Sequence, residues 1–426
     1  MISLIKKRLA RHLAFYVFFS FLNKGLSFLL IPLFTRYLSP KDYGVYALFL
    51  TGLLISEPFL SFCSEYAIGN VYYKQSQYSI REYVGTLLIL CIGFFIIQIT
   101  CLGTVIFAVK SFVIPKYFLL VPIVAMSSIM LNTLGWMWQM TERPISYGIF
   151  NSCYISLNLF FQIIVLVFFK LGLIGILYSQ TILAVINIFA GVYILIRNKW
   201  LSFCFNKECL KFGLKFGMGY IPNLLAMRVN DSIGKLFVTQ KFDLVSTGIY
   251  SLGQKLGMVV NVYSMSFISA YRPWLFKKLS AVDCLDKRKI ALSIAFAYIS
   301  ITLFAFAGSL CVYFLSDIFL GKNFKGALAY VLWSASAYAI NGLYGIIAQF
   351  IYYTGKSWIL SFHTIFATCL NAFLTFLFLN KFGMIGAAYA PTIAWTATLI
   401  LAVFVTLKLW KNRLSQPESH SKTLEL

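Results

Sequence analysis

The chain has 426 residues, of which 60% are hydrophobic and only 12% are charged, and its mean hydropathy is +0.82. This composition excludes a soluble globular domain, which carries about twice that share of charged residues. The formal net charge is +23, but the basic residues form no fold module or exposed basic face of the kind that reads nucleic acid. We therefore expect no nucleic-acid partner.

Apolar stretches of roughly 18 to 25 residues recur along the chain, the length that a helix needs to cross about 30 Å of hydrocarbon. This pattern predicts an all-α polytopic membrane protein with about twelve transmembrane helices. They lie near residues 13–34, 44–64, 84–108, 117–138, 147–169, 173–196, 217–238, 248–271, 290–316, 327–352, 358–380 and 384–408. The basic start, residues 1–11, is followed by no small-residue cleavage site, so we expect a retained first helix.

Basic residues are distributed unequally between the two sides of the predicted membrane region. The loops on one side contain few of them, namely Arg36, Lys41, Lys110, Lys116, Lys170, Lys241, Lys322, Lys325 and Lys381. Because Lys and Arg accumulate on the cytoplasmic side, the richer side is predicted to be cytoplasmic. Both termini lie on that side.

The second half of the chain repeats parts of the first half. Residues 170–182 align with 381–393 at an offset of 211, with seven of thirteen positions identical. Residues 43–48 align with 247–252 at an offset of 204, a register that places Lys24 opposite Arg228. Internal repeats in a polytopic membrane protein indicate a transporter whose substrate site lies between the repeats.

The repeat divides the chain into two lobes of six helices with the same orientation in the membrane. We predict an N-terminal lobe over residues 1–204, a C-terminal lobe over 205–414 and a polar cytoplasmic tail over 415–426. The longest cytoplasmic loop joins the lobes. Within it, residues 207–216 have the pattern of a separate amphipathic helix at the membrane interface.

A sequence signature follows the first predicted helix. The run IPLFTRYLSPKDYGVY, residues 31–46, resembles the opening of the polysaccharide-transporter branch of the multidrug/oligosaccharidyl-lipid/polysaccharide exporter superfamily, the Wzx-type O-antigen flippases. The similarity extends over essentially the whole chain. Further matching positions are residues 212–222, Asp231, residues 247–250, Arg143 and Lys356.

The resemblance implies a fold like that of MATE transporters, with two six-helix lobes around a V-shaped central cavity. It implies transport of an undecaprenyl-diphosphate-linked oligosaccharide, for O-antigen, lipopolysaccharide or similar surface-polysaccharide biosynthesis, across the bacterial inner membrane. The implied partners are this lipid-linked substrate, membrane lipids, H⁺ or Na⁺, and a polysaccharide polymerase with its chain-length regulator. No cofactor or metal is expected, and the nine cysteines suit apolar packing.

Six charged residues fall in the interior of predicted spans: Lys24, Glu57, Arg228, Asp231, Lys235 and Lys255. An uncompensated charge at mid-bilayer costs about 2.5 to 3.5 kcal/mol, so these side chains must face water or partners. Arg228, Asp231 and Lys235 are spaced i, i+3, i+7 and share one face of the seventh helix. We expect that face to line the cavity.

Two cations from the two lobes suit a diphosphate. Arg228 can bind phosphate oxygens with two parallel hydrogen bonds, Lys24 supplies a point charge, and Lys235 adds a third cation. Asp231 is the candidate for ion coupling, although its alternative role is to neutralise its basic neighbours. Glu57 is a second coupling candidate. With Pro58 it is expected either to break the second helix at mid-depth or to form a kink in which the carboxyl group is satisfied.

Three further residues have two interpretations each. Lys255 lines the cavity or extends to the membrane interface. Asn158 and Asn371 repeat one another at an offset of 213, and they hydrogen-bond either the sugar or neighbouring helices. His363, alone in an apolar helix, is expected to pack.

Two other classes of protein have this size and span count. A multidrug antiporter of the same superfamily carries cations, which the cavity lysines and arginine would repel. An O-antigen polymerase or ligase normally has a large extracytoplasmic loop and catalytic side chains, and neither is evident in the sequence. The chain is therefore predicted to be a flippase and not an enzyme.

Overall fold

The computed structural model describes residues 19, 22–23, 25–26, 28–73, 79–108, 116–280, 287–354 and 357–414. Lys24 and the tail 415–426 lie outside the described residues. Within those ranges the chain is helical and contains no strand. Eight segments of the described chain are long and apolar enough to cross a membrane, so the predicted all-α polytopic fold is confirmed.

The helices follow most of the predicted spans, but the predicted span 248–271 is divided between two helices, α9 and α10. They are α1 Phe28–Tyr37, α2 Pro40–Ser61, α3 Ile68–Tyr73, α4 Ile80–Ala108, α5 Val121–Met140, α6 Pro144–Ile163, α7 Gly172–Arg197, α8 Lys207–Lys241, α9 Leu244–Gly257, α10 Val259–Ser280, α11 Lys287–Phe314, α12 Ser316–Phe319, α13 Leu328–Tyr353, α14 Ser357–Phe382 and α15 Gly386–Leu414.

The chain forms two compact units. Unit 1 contains Met1–Arg228 and Ile318–Asn323, and unit 2 contains Val229–Asp317 and Phe324–Leu426. The division falls inside α8, whereas the predicted lobe boundary lies at residues 204 and 205. The lobe boundary stays a prediction, but α8 belongs to unit 1 as far as Arg228.

The second predicted span of unit 1 is interrupted later than expected. Its helix α2 begins at an N-cap, where the Ser39 hydroxyl accepts the Asp42 N–H at 3.1 Å. The helix passes through Pro58 and ends at Ser61, after which Phe62 and Cys63 have φ of 51° and 54°. The expectation that Glu57 and Pro58 break the helix is therefore wrong. Proline removes one backbone hydrogen bond, which the last turn of a membrane helix tolerates.

The start of α8 packs tightly against this interruption. A Cβ atom added to Gly217 would lie 1.8 Å from the Phe62 carbonyl oxygen, and one added to Gly213 would lie 3.1 Å from both the Ser64 and Tyr83 hydroxyl oxygens. Cys209, one turn earlier, is buried. Small residues at every fourth position thus allow close helix packing, as is usual in membranes.

The predicted separate interfacial helix at residues 207–216 is not seen. These residues form the first turns of the 35-residue helix α8, which continues to Lys241. Lys207, Lys211 and Lys215 are exposed along one side of the helix, which accounts for the amphipathic pattern. The opposite side holds the small residues that pack on unit 1, so tertiary contact explains why the helix does not end at Phe216.

Candidate substrate-binding site

Glu57 and Arg228 form an ion pair within unit 1. Arg228 Nη2 lies 3.5 Å from Glu57 Oε2. On the other carboxylate oxygen, the Asn132 amide donates to Glu57 Oε1 at 2.7 Å. Glu57, Asn132 and Arg228, brought together from α2, α5 and α8, are called the unit-1 charge cluster below. Both oxygens of the Glu57 carboxylate are therefore partnered.

The ion pair leaves Arg228 accessible. Its side chain is 27% exposed, against 11% for Glu57. A guanidinium group has five N–H donors in a fixed fork, so it can hold a carboxylate and still offer N–H groups to a phosphate. The cluster thus presents a positioned cation to solvent.

A second acid lies close to this cluster. Glu65 sits in the single turn of 3₁₀-helix Ser64–Ala67 that follows the interruption. It is 1% exposed, and its Oε2 atom has no hydrogen-bond partner among the described residues. Its charge interacts with that of Glu57. A buried carboxyl oxygen without a partner is costly, so this turn is a strained polar site inside an apolar unit.

The sequence analysis missed Asn132 and Glu65. Asn132 lies in the middle of an apolar predicted span, and Glu65 directly follows the predicted end of another. A polar side chain in a membrane span marks a contact or a functional site. Asn132 carries no charge, and Glu65 lies just outside the predicted span, so the cost of a charge within a span singles out neither residue.

Unit 2 holds Asp231, Lys235 and Lys255. Asp231 and Lys235 of α8 are close enough for their opposite charges to attract, whereas Lys255 of α9 is close enough to Lys235 for the two like charges to repel. Asp231 is exposed, and the two lysines are half-buried. The two lysines and one aspartate, called the unit-2 charge cluster below, carry a formal excess of positive charge.

A small cavity of about 30 Å³ adjoins this cluster and is lined in part by Asn230, Asp231, Gln254, Tyr338 and Asn371. The Gln254 amide donates to the Asp231 carbonyl oxygen at 3.1 Å. The Gln254 Oε1 atom is buried without a partner among the described residues. The volume suffices for a water molecule or a small ion, and the walls offer several oxygen atoms.

The charged residues predicted to share one face of the seventh helix therefore belong to two separate clusters. Arg228 pairs with Glu57 in unit 1, while Asp231, Lys235 and Lys255 form the cluster of unit 2. Because Lys24 lies outside the described residues, its approach to Arg228 stays a prediction.

The two repeated asparagines make different contacts. Asn371 of α14 donates to the Asn230 backbone oxygen at 3.2 Å and to the Asn230 side-chain oxygen at 2.9 Å, so it joins two helices of unit 2. Asn158 accepts from Gln162 of its own helix at 2.8 Å. His363 is fully buried, and its ring packs edge-on against Tyr344 at 5.9 Å.

Comparison with known proteins places this arrangement in a family. Residues 9–278 match the family described as "Polysaccharide biosynthesis protein". The chain is 22% identical to "Lsg locus putative protein 1" of Haemophilus influenzae over 401 residues, 91% of this chain and 96% of that protein.

Solved structures show the same fold. A mutant of the Vibrio cholerae MATE transporter VcmN has a TM-score of 0.61 at 15% identity, covering 96% of this chain and 98% of that one. The lipid II flippase MurJ in an inward closed conformation has a TM-score of 0.57 at 13% identity, covering 95% and 93%. These structures confirm the predicted transporter-like fold, and the family match confirms the predicted resemblance to polysaccharide biosynthesis proteins. The chain belongs to the polysaccharide biosynthesis protein family.

Proposed function

We propose that this protein is a flippase for an undecaprenyl-diphosphate-linked oligosaccharide, the repeat unit of O antigen or a similar surface polysaccharide. It moves this substrate from the cytoplasmic to the outer face of the bacterial inner membrane by alternating access. The observation that carries the proposal is Arg228, a partly exposed cation held by Glu57 inside a polytopic member of a polysaccharide biosynthesis family.

The diphosphate binds to Arg228 in this account. Its oxygens accept hydrogen bonds from the partly exposed Arg228 guanidinium, and Lys24 supplies the second charge. Glu57 and Asn132 fix the position of the guanidinium and lower the cost of keeping a cation in a membrane helix before substrate arrives. Lys235 remains the proposed third cation.

The membrane potential favours export of such a substrate. A diphosphate diester carries two negative charges, and each gains about 2.3 kcal/mol when it moves outward across 100 mV, inside negative. The total of about 4.6 kcal/mol drives transport when the substrate concentrations on the two sides are similar.

The cavity beside Asp231 is the proposed coupling site for H⁺ or Na⁺. Asp231, Asn230 and Tyr338 contribute oxygen atoms to its wall, which suits a hard cation or a proton. An ion bound there changes the electrostatic potential at Lys235. Glu57 is the corresponding coupling candidate in unit 1.

An anionic substrate is favoured over the cationic substrates of a multidrug antiporter. The unit-2 charge cluster has two lysines and one aspartate, so a cationic drug would meet a net repulsion. We propose transport and not catalysis, because the family match and the transporter-like fold both support it.

Complementation with Arg228→Ala tests the proposal. In a strain that lacks this gene, the wild-type chain restores surface glycan, and Arg228→Ala leaves intact lipid-linked units on the cytoplasmic face. Arg228→Lys is the matched control and retains partial function because the charge is kept. Normal surface glycan from a well-expressed Arg228→Ala variant would contradict the role of the unit-1 charge cluster.

A further inference from the structure

Three aromatic side chains of unit 1 meet near the unit-1 charge cluster. The Tyr66 and Tyr220 rings are 4.7 Å apart at an angle of 37°, and the Trp136 ring is 6.1 Å from Tyr66 in an edge-to-face arrangement. They come from the turn before α3, from α5 and from α8. Tyr66, Trp136 and Tyr220 are called the aromatic platform below.

The platform lies at the edge of the core of unit 1, against which Trp136 packs. All three rings are half-buried, whereas Trp138, two residues along α5, is 5% exposed and packs against Trp200 and Phe150. Thus α5 places one tryptophan inside the core and the other at its partly open edge. Ring area that remains open can contact a ligand.

The aromatic platform adjoins the proposed diphosphate site. Asn132 and Trp136 lie one turn apart on the same side of α5, a rise of about 6 Å. On α8, Tyr220 precedes Arg228 by two turns, about 12 Å along the axis. The Tyr66 side chain lies within the electrostatic reach of both Glu57 and Arg228.

Two amide side chains flank the rings. Gln139 follows Trp136 by three residues on α5, and Asn223 follows Tyr220 by three residues on α8, so each shares a helix side with its aromatic neighbour. Gln139 is exposed and Asn223 is half-buried. Neither side chain makes a hydrogen bond to another described residue, so both offer donors and acceptors to a ligand.

We infer that the aromatic platform binds the sugar ring that is joined directly to the diphosphate. A pyranose ring has an apolar C–H face, which packs on aromatic rings, and a hydroxyl edge, which pairs with amides such as Gln139 and Asn223. The platform lies about 6 Å from Asn132 along α5 and about 12 Å from Arg228 along α8, distances at which a sugar joined to the diphosphate can reach it. The inference rests on the proposed function and adds recognition of the first sugar to it.

Binding to purified protein in nanodiscs tests this inference. The probes are undecaprenyl diphosphate and its glucosyl, galactosyl and N-acetylglucosaminyl derivatives. Wild-type protein is expected to bind at least one sugar-bearing probe more tightly than the bare diphosphate. Tyr66→Ala and Tyr220→Ala are expected to remove that preference, a loss of about tenfold, because ring area for the sugar is lost.

Controls separate this inference from the proposed function. Tyr66→Phe and Tyr220→Phe keep the rings and retain the preference for sugar, and their thermal unfolding curves report folding. Tyr263→Ala removes one ring of the stacked Tyr263–Phe304 pair, 4.1 Å apart in unit 2, and leaves the preference unchanged. Arg228→Ala weakens binding of every probe alike.

Two outcomes would overturn the inference while leaving the flippase proposal intact. One is wild-type protein that binds all three sugar-bearing probes no more tightly than undecaprenyl diphosphate. The other is a folded Tyr66→Ala or Tyr220→Ala variant that keeps the full preference. If no probe binds to the wild-type protein, both the proposed diphosphate site and the inference fail.

Discussion

Arg228 of α8 pairs with Glu57 of α2, with Nη2 and Oε2 3.5 Å apart, inside the same compact unit. The helix that carries Arg228 belongs by sequence to the second repeat, but its first turns pack on the first. The cation proposed to bind substrate is therefore held by an acid of the other repeat. We propose that Glu57, besides positioning Arg228, competes with the substrate's phosphates for it.

Glu57→Gln is expected to tighten the binding of undecaprenyl diphosphate by up to about fivefold, since a partly exposed ion pair is worth up to about 1 kcal/mol. The glutamine keeps an oxygen for the Asn132 amide, so the protein stays folded. Substrate release is slower and the transport rate falls. Binding titrations in nanodiscs measure the first effect, and weaker binding would show that Glu57 positions Arg228 without competing for it.

Gly217→Ala is expected to destabilise the protein by about 1 to 3 kcal/mol, because the new methyl group would overlap the Phe62 carbonyl oxygen and force the two backbones apart. Gly219→Ala, in the same helix, is the matched control. Nothing lies within 4 Å of its added Cβ, and alanine favours the helix by about 0.5 to 1 kcal/mol. Thermal unfolding in detergent compares the two variants, and equal midpoints would contradict the close packing of α8.

Asn371→Ala is expected to destabilise unit 2 by about 0.6 to 1.7 kcal/mol, from the average to the maximum found for hydrogen bonds between membrane helices. It removes both bonds to Asn230. Asn158→Ala loses only a bond within its own helix and should have a smaller effect. Unfolding midpoints measured side by side test this difference. A larger loss of stability for Asn158→Ala would contradict the conclusion that Asn371 joins two helices and Asn158 does not.

Asp231→Asn is expected to abolish the response of transport to an H⁺ or Na⁺ gradient while its response to membrane potential remains. The amide keeps the shape of the cavity wall but removes the charge that binds the ion. Flipping in proteoliposomes, with gradient and potential imposed separately, measures both responses. A variant that keeps its gradient response would move the coupling site away from Asp231, and Glu57→Gln would then be examined in the same assay.

Sequence periodicity predicts the helices of this fold well because a membrane span needs a minimum apolar length. It does not predict where α2 ends, since the interruption at Phe62 is tied to the close approach of Gly217 from a distant helix. The same contact explains why residues 207–216 form the start of α8 and not the separate amphipathic helix that their pattern predicts. The local sequence pattern indicates which residues of a helix are exposed, but it does not indicate which segment the helix packs against.

The site was predicted only in part for the same reason. Helical spacing places Arg228, Asp231 and Lys235 on one face but does not identify their partners. The Glu57–Arg228 pair joins residues whose positions do not correspond in the repeat. Asn132 carries no charge, so the cost of a charge in the membrane does not single it out. The aromatic platform is a tertiary feature: its rings come from three segments, and tyrosine and tryptophan are common throughout the chain.

The proposed function requires Arg228 to bind the lipid-linked diphosphate while the protein transports it across the membrane. The most direct measurement is transbilayer movement of a fluorescent undecaprenyl-diphosphate-linked oligosaccharide in proteoliposomes under an imposed potential. Wild-type protein is expected to move the labelled substrate rapidly, and faster when the destination side is positive. With Arg228→Ala, the substrate is expected to move about as slowly as in protein-free liposomes. No acceleration by the wild-type protein, or equal rates for both proteins, would contradict it.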